Sequence, residues 1–163
     1  MEKEEAKLKI LQACFKIGIF KAEEIQYVMA TVEHETNGSF KPVSEAYWLR
    51  NADKYLRTNK NTKRYYPYYG RGFSQITWKA NYAKFEKILG IPLVENPELA
   101  LDFDVSLEIL IYGMKHGTFT GKKLSDYFNH NGSDFIGARK IINGKDKAEK
   151  IAKLAQKSRI RNV

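Results

Sequence analysis

The chain has little of the chemistry on which several enzyme classes depend. A single cysteine in 163 residues excludes an internal disulfide, and Cys14 falls in an apolar helical repeat that predicts a buried structural thiol. His34-Glu35 lacks the second histidine of a zinc peptidase helix, because Gly38 occupies that position. His34 is instead expected to be a hydrogen-bonded structural residue. His116 and His130 lack the Cys or acidic spacing of a metal site, and no Gly-x-Ser-x-Gly elbow of a serine hydrolase is present. We predict neither a metal nor a cofactor.

Long apolar runs and low-complexity tracts are also missing. Met1 is followed by Glu2-Lys3-Glu4-Glu5, and no uninterrupted apolar segment follows, so neither a secretory signal nor a transmembrane segment is predicted. No Pro, Gly or Ser tract divides the chain, and no internal repeat is visible. Residues 1–163 are therefore predicted to form one globular domain.

Positive charge is in excess, with 28 lysine and arginine residues against 19 aspartate and glutamate residues. The formal net charge of +9 indicates an anionic partner or surface. Zinc-finger, RNP-like and helix-turn-helix patterns are absent, so nucleic acid is not the predicted partner. Basic residues are densest from Lys145 to Arg161, where small apolar residues recur on one helical face. This pattern favours a packed helix with a solvated basic face, and contact of that face with anionic envelope polymers or lipid headgroups is the alternative.

Apolar periodicity and turn residues predict a mainly α fold with little strand. Residues 38–74 are expected to be irregular or to form a hairpin, because their Asn, Pro and Gly residues are unfavourable in a long helix. A further helical section begins at Asn96-Pro97-Glu98. The other predicted helices cover residues 3–17, 21–36, 74–89, 103–115, 122–128, 135–142 and 146–158.

Two glutamates flank the turn at which the second predicted helix ends. Glu35 follows Val32 by three residues, which places it close to the apolar stripe of the last helical turn. Glu45 lies beyond Asn37-Gly38 in a polar segment, where a carboxyl group is better solvated. Partial desolvation favours the protonated form of a carboxyl group, so the pair predicts an acid at Glu35 and a base at Glu45. Cleavage of a glycosidic bond requires such a pair, although two solvated charges near a helix end would look the same in sequence.

Aromatic residues crowd the segment that follows these glutamates. They can present flat faces to sugar rings with polar groups at the rim, or they can fill a small core. Core packing is favoured for Phe73 and Trp78, whereas the tyrosines beside Pro67 and the paired glycines indicate surface recognition. The tyrosines predicted to bind substrate are Tyr47, Tyr66 and Tyr69.

Polar side chains follow the Gly70-Arg71-Gly72 motif. The paired glycines allow close approach of the backbone. Gln75, Thr77 and Asn81 can bond sugar acetamido groups or hold an attacking water. Arg71 can contact substrate or pair with a buried carboxylate. The motif matches neither a dinucleotide-binding nor a P-loop pattern.

Three motifs in a fixed order resemble the glycoside hydrolase family 19 chitinases and the related phage endolysins. The motifs are His34-Glu35-Thr36, then Tyr69-Gly70-Arg71-Gly72-Phe73-Ser74-Gln75-Ile76-Thr77-Trp78 with Asn81-Tyr82, and last Ile141-Ile142-Asn143-Gly144. The segment from Phe40 to Leu49 and the Tyr-Pro-Tyr-Tyr run resemble the bacteriophage and prophage branch in particular. Joint order makes the resemblance far more specific than any one motif, and it covers roughly residues 22–152.

The resemblance implies a lysozyme-like, mainly α fold with a small hairpin or irregular lobe beside a catalytic groove. It implies inverting hydrolysis of β-1,4-linked N-acetyl amino sugars, with Glu35 as general acid, Glu45 as general base and Thr77 placing the water. Plant members place their second glutamate farther along and carry disulfides, and this chain departs from them in both respects. The residues that would line the groove are Gln75 and Asn81, with Asn143 at the far wall.

The same resemblance implies an endolysin that cuts the glycan strands of bacterial peptidoglycan for host cell lysis. We expect a monomer without a separate cell-wall-binding domain. It would accumulate in the host bacterial cytoplasm and reach the cell wall after a separate membrane lesion. Within the enzyme class the alternative is chitin hydrolysis. Outside that class the alternative is a catalytically silent basic module that binds cell-wall glycan or nucleic acid.

Overall fold

The structure of the chain is a computed structural model that describes residues 1–142 and 147–157. Within these ranges two 3₁₀ helices, Pro97–Leu101 and Gly137–Ile141, accompany the α-helices. Strands β1 (Phe128–Asn129) and β2 (Gly132–Ser133) form a short antiparallel hairpin. The α-helices are α1 (Lys3–Ile17), α2 (Ala22–Glu35), α3 (Ala52–Thr58), α4 (Lys79–Leu89), α5 (Phe103–His116), α6 (Leu124–Tyr127) and α7 (Ala148–Lys157).

The mainly α prediction is confirmed, and most predicted helices lie within a few residues of the observed ones. Helix α4 begins at Lys79 rather than near residue 74, because the preceding residues form turns with positive φ at Gln75 and Trp78. The segment predicted to be irregular contains α3, which the sequence pattern did not indicate. None of the helices in the described ranges combines the length and apolar composition needed to cross a membrane.

The described residues divide into two compact units. The first contains residues 1–40 together with the described residues from Leu110 onward, and the second contains residues 41–109. The first unit is therefore discontinuous in sequence, because residues 41–109 separate its two segments. The boundary between residues 109 and 110 falls within α5. The prediction of one domain over residues 1–163 did not anticipate this division, and a single catalytic domain stays a prediction.

In the first unit, α2 packs against α1 and α7. The contact follows from apolar residues at helical spacing, since Ile25, Val28 and Val32 on α2 are buried. Cys14 on α1 is also fully buried, which confirms the predicted structural thiol. Burial, reinforced by the negative charge of Glu24, raises the pKa of the Cys14 thiol to about 12, so the group stays protonated and unreactive.

The second unit has an aromatic core around Phe73. This side chain is fully buried and meets Phe103 edge-on at 5.5 Å, which confirms its predicted core position. Its backbone N–H donates to Ser106 Oγ at 2.7 Å. Gly72 permits this approach, because it has a φ of +84° and a Cβ there would lie 2.6 Å from Ser106 Oγ. Trp78 was predicted to pack in a core but is 43% exposed, which corrects that expectation.

Candidate active-site residues

Glu35 is the last residue of α2, and an arginine holds its carboxylate. Arg139 Nη1 donates to Glu35 Oε1 at 3.2 Å from the 3₁₀ helix Gly137–Ile141. The exposed side-chain fractions are 5% for Arg139 and 20% for Glu35, so the ion pair is largely shielded from water. No pattern in the sequence pointed to Arg139, because the two residues are 104 positions apart. The predicted acid therefore carries a charged hydrogen-bond partner that local sequence could not show.

His34 lies beside this ion pair. Its Nδ1 is buried and has no hydrogen-bond partner in the described part of the chain, so the hydrogen bond predicted for His34 is not made at that nitrogen. Burial lowers the pKa of His34, and Arg139 lowers it further, while Glu35 acts in the opposite direction. The neutral imidazole is therefore favoured, and it adds no second positive charge beside Arg139.

Glu45 lies in the second unit, and neutral donors hold both of its carboxylate oxygens. The Tyr65 hydroxyl donates to Oε2 at 2.6 Å, and the Gly70 N–H donates to Oε1 at 3.0 Å. The Glu45 N–H in turn donates to the Gly70 carbonyl at 2.7 Å. Burial and the hydrogen bond to Glu45 raise the pKa of Tyr65 to about 12, so this phenol remains a donor at neutral pH.

The three polar residues predicted after the glycine motif form a hydrogen-bonded series. Gln75 Nε2 donates to the carbonyls of Val43 at 2.7 Å and Gly72 at 2.9 Å. Thr77 Oγ1 donates to the Gln75 carbonyl at 3.1 Å, and Asn81 Nδ2 donates to the Thr77 carbonyl at 2.7 Å. The structure therefore places these side chains together, half-buried, in the unit that holds Glu45.

Arg71 is an interior residue, 3% exposed, and this corrects its predicted contact with substrate. Its Nη1 donates to the carbonyl of Pro67 at 2.9 Å and to the hydroxyl of Tyr82 at 3.0 Å. The guanidinium lies 3.8 Å from the ring centroid of Tyr69. These contacts are with carbonyls, a hydroxyl and a ring, rather than with the carboxylate that was the alternative partner. Arg71 therefore holds the tyrosine-rich loop together.

Several aromatic side chains are exposed in the second unit. Tyr47 is 54% exposed and meets Trp48, which is 71% exposed, edge-on at 5.3 Å. Tyr66 is half-buried, and its hydroxyl donates to Asp53 Oδ1 at 2.6 Å. Trp48 and Trp78 add exposed indole faces that were not among the predicted binding residues.

Asn143, the predicted far-wall residue, lies outside the described residues, so its role stays a prediction. Within residues 1–142 and 147–157, no group of three or more His, Cys, Asp or Glu side chains is placed to hold a metal ion. The candidate residues that are described therefore divide between two sets. One set is Glu35 with Arg139 in the first unit, and the other is Glu45 with its hydrogen-bond donors in the second unit.

Comparison with known proteins identifies plant chitinases as relatives. Chitinase 11 of Oryza sativa subsp. japonica is 35% identical over 79 residues, which cover 48% of this chain and 30% of that protein. An endochitinase of Arabidopsis thaliana is 34% identical over 86 residues, which cover 50% of this chain and 28% of that protein. The chain thus spans less than a third of the length of these relatives. No protein-family model matches it.

Two solved chitinase structures are also similar. Chitinase C from Streptomyces griseus HUT6037 is 29% identical, with 68% of this chain and 56% of that chain covered, at a TM-score of 0.43. A mutant of chitinase C is 19% identical, with 93% and 83% covered, at a TM-score of 0.48. Both scores are below 0.5, so the relationship rests on sequence. Over about half of its length, the chain is therefore similar in sequence to plant chitinases.

Proposed function

We propose that this chain hydrolyses β-1,4 glycosidic bonds in polymers of N-acetylated amino sugars, with the glycan strands of bacterial peptidoglycan as its substrate. The observation that carries the proposal is the Glu45 carboxylate, which is oriented by two hydrogen bonds in a unit that also exposes Tyr47 and Trp48. Homology to chitinases supports the same reaction class. Hydrolysis of this kind needs two carboxyl groups and no cofactor.

The proposed roles follow the chemistry of an inverting glycosidase. Glu35 donates a proton to the glycosidic oxygen as the bond to the anomeric carbon breaks. Glu45 accepts a proton from the water whose oxygen forms the new bond to that carbon, and Thr77 helps to place this water. Arg139 keeps the Glu35 carboxyl group in one orientation before and after the transfer, since it already donates to Oε1.

The proposed substrate contacts combine aromatic faces with amides. Tyr47, Tyr66, Tyr69 and the exposed indoles offer apolar faces to the C–H faces of sugar rings. The side-chain hydrogen bonds of Gln75 and Asn81 within the protein use the amide nitrogens, so the amide oxygens can accept from acetamido N–H groups. Asn143 is proposed as a further contact from the motif alone.

Substitution of each glutamate tests the reaction. Glu35→Gln and Glu45→Gln should each lower the rate of sacculus digestion by about 100-fold or more, because each removes one proton-transfer group. Glu33→Gln, on the same helix, is the matched control and should keep wild-type activity. Clearing of outer-membrane-permeabilised cells by all variants at the wild-type rate would refute the catalytic assignment. Complete absence of clearing by the wild type would instead favour the non-catalytic binding module.

Product analysis separates peptidoglycan from chitin as the substrate. Mass spectrometry of digested sacculi and of chitin oligomers shows which polymer is cut, and the reducing-end sugar distinguishes muramidase from glucosaminidase cleavage. NMR of the first-formed anomer tests inversion, since a retaining enzyme would give the β-anomer. Chitin-only cleavage would replace the peptidoglycan proposal with the chitinase alternative.

We further propose that the protein is a monomeric endolysin that acts in host cell lysis after release from the cytoplasm. Support comes from the segment from Phe40 to Leu49, which resembles the corresponding segment of phage and prophage endolysins. Bacteria that express the chain in their cytoplasm should stay intact until an added agent permeabilises the inner membrane. Lysis without that agent would show an independent export route.

A further inference from the structure

Tyr65 contacts Glu45 through its hydroxyl and other aromatic residues through its ring. The hydroxyl donates to Glu45 Oε2 at 2.6 Å, a distance typical of a strong bond to a carboxylate. The ring meets Trp78 edge-on at 5.2 Å, with an interplanar angle of 66°. The guanidinium of Arg64 lies 5.3 Å from the Trp78 ring centroid. The side chain that orients Glu45 is therefore itself held by an aromatic contact.

Main-chain contacts fix the position of Glu45 independently of Tyr65. The Glu45 N–H donates to the Gly70 carbonyl, and the Gly70 N–H donates to Oε1. Each carboxylate oxygen can accept about two hydrogen bonds. The bond at Oε1 does not by itself fix the rotation of the carboxylate plane, so a donor at Oε2 is needed to fix it. The Tyr65 hydroxyl donates to that oxygen.

We propose that Tyr65 is a positioning residue for the reaction, because its hydroxyl fixes the plane of the Glu45 carboxylate and so directs one lone pair of the base toward the attacking water. The proposal rests on the function proposed above. It also links the base to an exposed surface, because Trp78 is 43% exposed and supports the Tyr65 ring. A sugar ring that stacked on Trp78 would contact the side chain that supports Tyr65.

Tyr65→Phe tests this role because it removes the hydroxyl and keeps the ring against Trp78. Loss of one hydrogen bond to a charged group should lower kcat by about 10- to 100-fold, with KM close to that of the wild type. An unchanged kcat, or a loss that appears in KM alone, would overturn the proposal.

Tyr68→Phe is the matched control, because it also removes one phenol hydroxyl from the second unit. The Tyr68 hydroxyl donates to the Val94 carbonyl at 3.0 Å, and Tyr68 is neither a proposed catalytic residue nor a proposed substrate contact. Its kcat should stay close to that of the wild type. An equal fall in kcat in both variants would show a general effect of removing a phenol, and this result would also overturn the role of Tyr65.

Titration of the tyrosines provides a readout that does not depend on activity. In protein with ¹³C-labelled tyrosine rings, Glu45→Gln should lower the pKa of Tyr65, because it removes the carboxylate that helps to raise that pKa. Tyr66 should titrate as before, since its partner Asp53 is unchanged. An unchanged Tyr65 titration would refute the contact itself. A wild type that cleaves neither polymer would refute the proposed function while this measurement still decided whether the contact exists.

Discussion

Glu35 and Glu45 are the same residue type, yet the two units hold them by different means. In the first unit, the partner is a guanidinium from a residue 104 positions away. In the second, the partners are a phenol and a backbone amide 20 and 25 positions away, and neither carries a charge. A charged partner attracts a carboxylate strongly but must itself be desolvated, whereas neutral donors orient the group at lower cost.

This difference bears on what each residue needs for its proposed task. The acid is attached to a long helix and depends on a contact made late along the chain, so its surroundings depend on packing within the whole first unit. The base lies in a turn-rich segment, and residues of the same unit, 20 and 25 positions away, donate to its carboxylate. The two units should therefore respond differently to the loss of a charged partner, to backbone strain and to pH.

Loss of the Arg139 guanidinium should have the largest effect on stability. Arg139→Met leaves the Glu35 carboxylate without its charged partner and should destabilise the first unit by about 2–4 kcal/mol, near the low end for a buried pair because Glu35 keeps some exposure. Urea unfolding measures this change. The double variant with Glu35→Gln should recover part of the loss, because no unpaired charge remains. Equal stability of Arg139→Met and wild type would show that the pair is not structural.

Replacement of a glycine with positive φ near each glutamate should lower the free energy of unfolding by different amounts. Gly72 and Gly38 have nearly the same φ, +84° and +83°. A Cβ added at Gly72 would meet Ser106 Oγ and the Ala100 carbonyl, whereas a Cβ added at Gly38 would meet nothing within 4 Å. Gly72→Ala should therefore cost more than about 2 kcal/mol, from strain plus steric overlap. Gly38→Ala should cost about 1 kcal/mol, from strain alone. Equal shifts in unfolding midpoint would contradict the assigned contacts.

Mild acid should weaken the first unit through His34. The pKa of His34 is lowered in the folded state, chiefly by burial, so the unfolded chain binds the proton more readily. Stability is therefore lost as the pH falls through the unfolded value of about 6.5 toward the lower folded value. His34→Gln should remove this part of the loss, measured by urea unfolding at pH 7.5, 6.5 and 5.5, whereas exposed His130→Gln should not. Residues 41–109 contain no histidine, which assigns the effect to the first unit.

Substitutions on the two exposed surfaces should have the smallest effects. Their effects on binding should depend differently on salt concentration in the two units. Lys150, Lys153 and Lys157 are exposed on α7, whose apolar face is buried. We propose that this basic face contacts anionic envelope polymers, so changing all three to Gln should reduce sacculus binding a few-fold at low salt and little at high salt. Trp48→Ala should instead weaken binding of amino-sugar oligomers at both salt concentrations. Salt-independent loss in the lysine variant would exclude the electrostatic contact.

Regular helices could be predicted from the sequence because their causes are local. The apolar spacing in α1 and α2 and the left-handed Gly18 after α1 give both elements nearly correct bounds. The segment before α4 could not be predicted in this way. Gln75 and Trp78 have positive φ, which non-glycine residues rarely adopt, and long-range hydrogen bonds to Val43 and Tyr68 stabilise that conformation.

Arginines were harder to place than glutamates. Arginine is usually exposed, so the sequence pattern gave Arg71 a substrate contact and gave Arg139 no role. Both side chains are buried, and their partners are a tyrosine-rich loop in one case and Glu35 in the other. Burial of a cation depends on partners supplied by folding, which composition and spacing do not specify.

By itself, the sequence determined the mainly helical character, the excess of positive charge, the pair of glutamates around a helix end and the order of its three motifs. Tertiary structure alone decided that Arg139 pairs with Glu35, that Tyr65 orients Glu45 and that Trp78 is exposed. Helical periodicity is set by residues three or four positions apart. A side-chain hydrogen bond depends on ångström-scale distances between distant residues, and only the packed chain sets those distances.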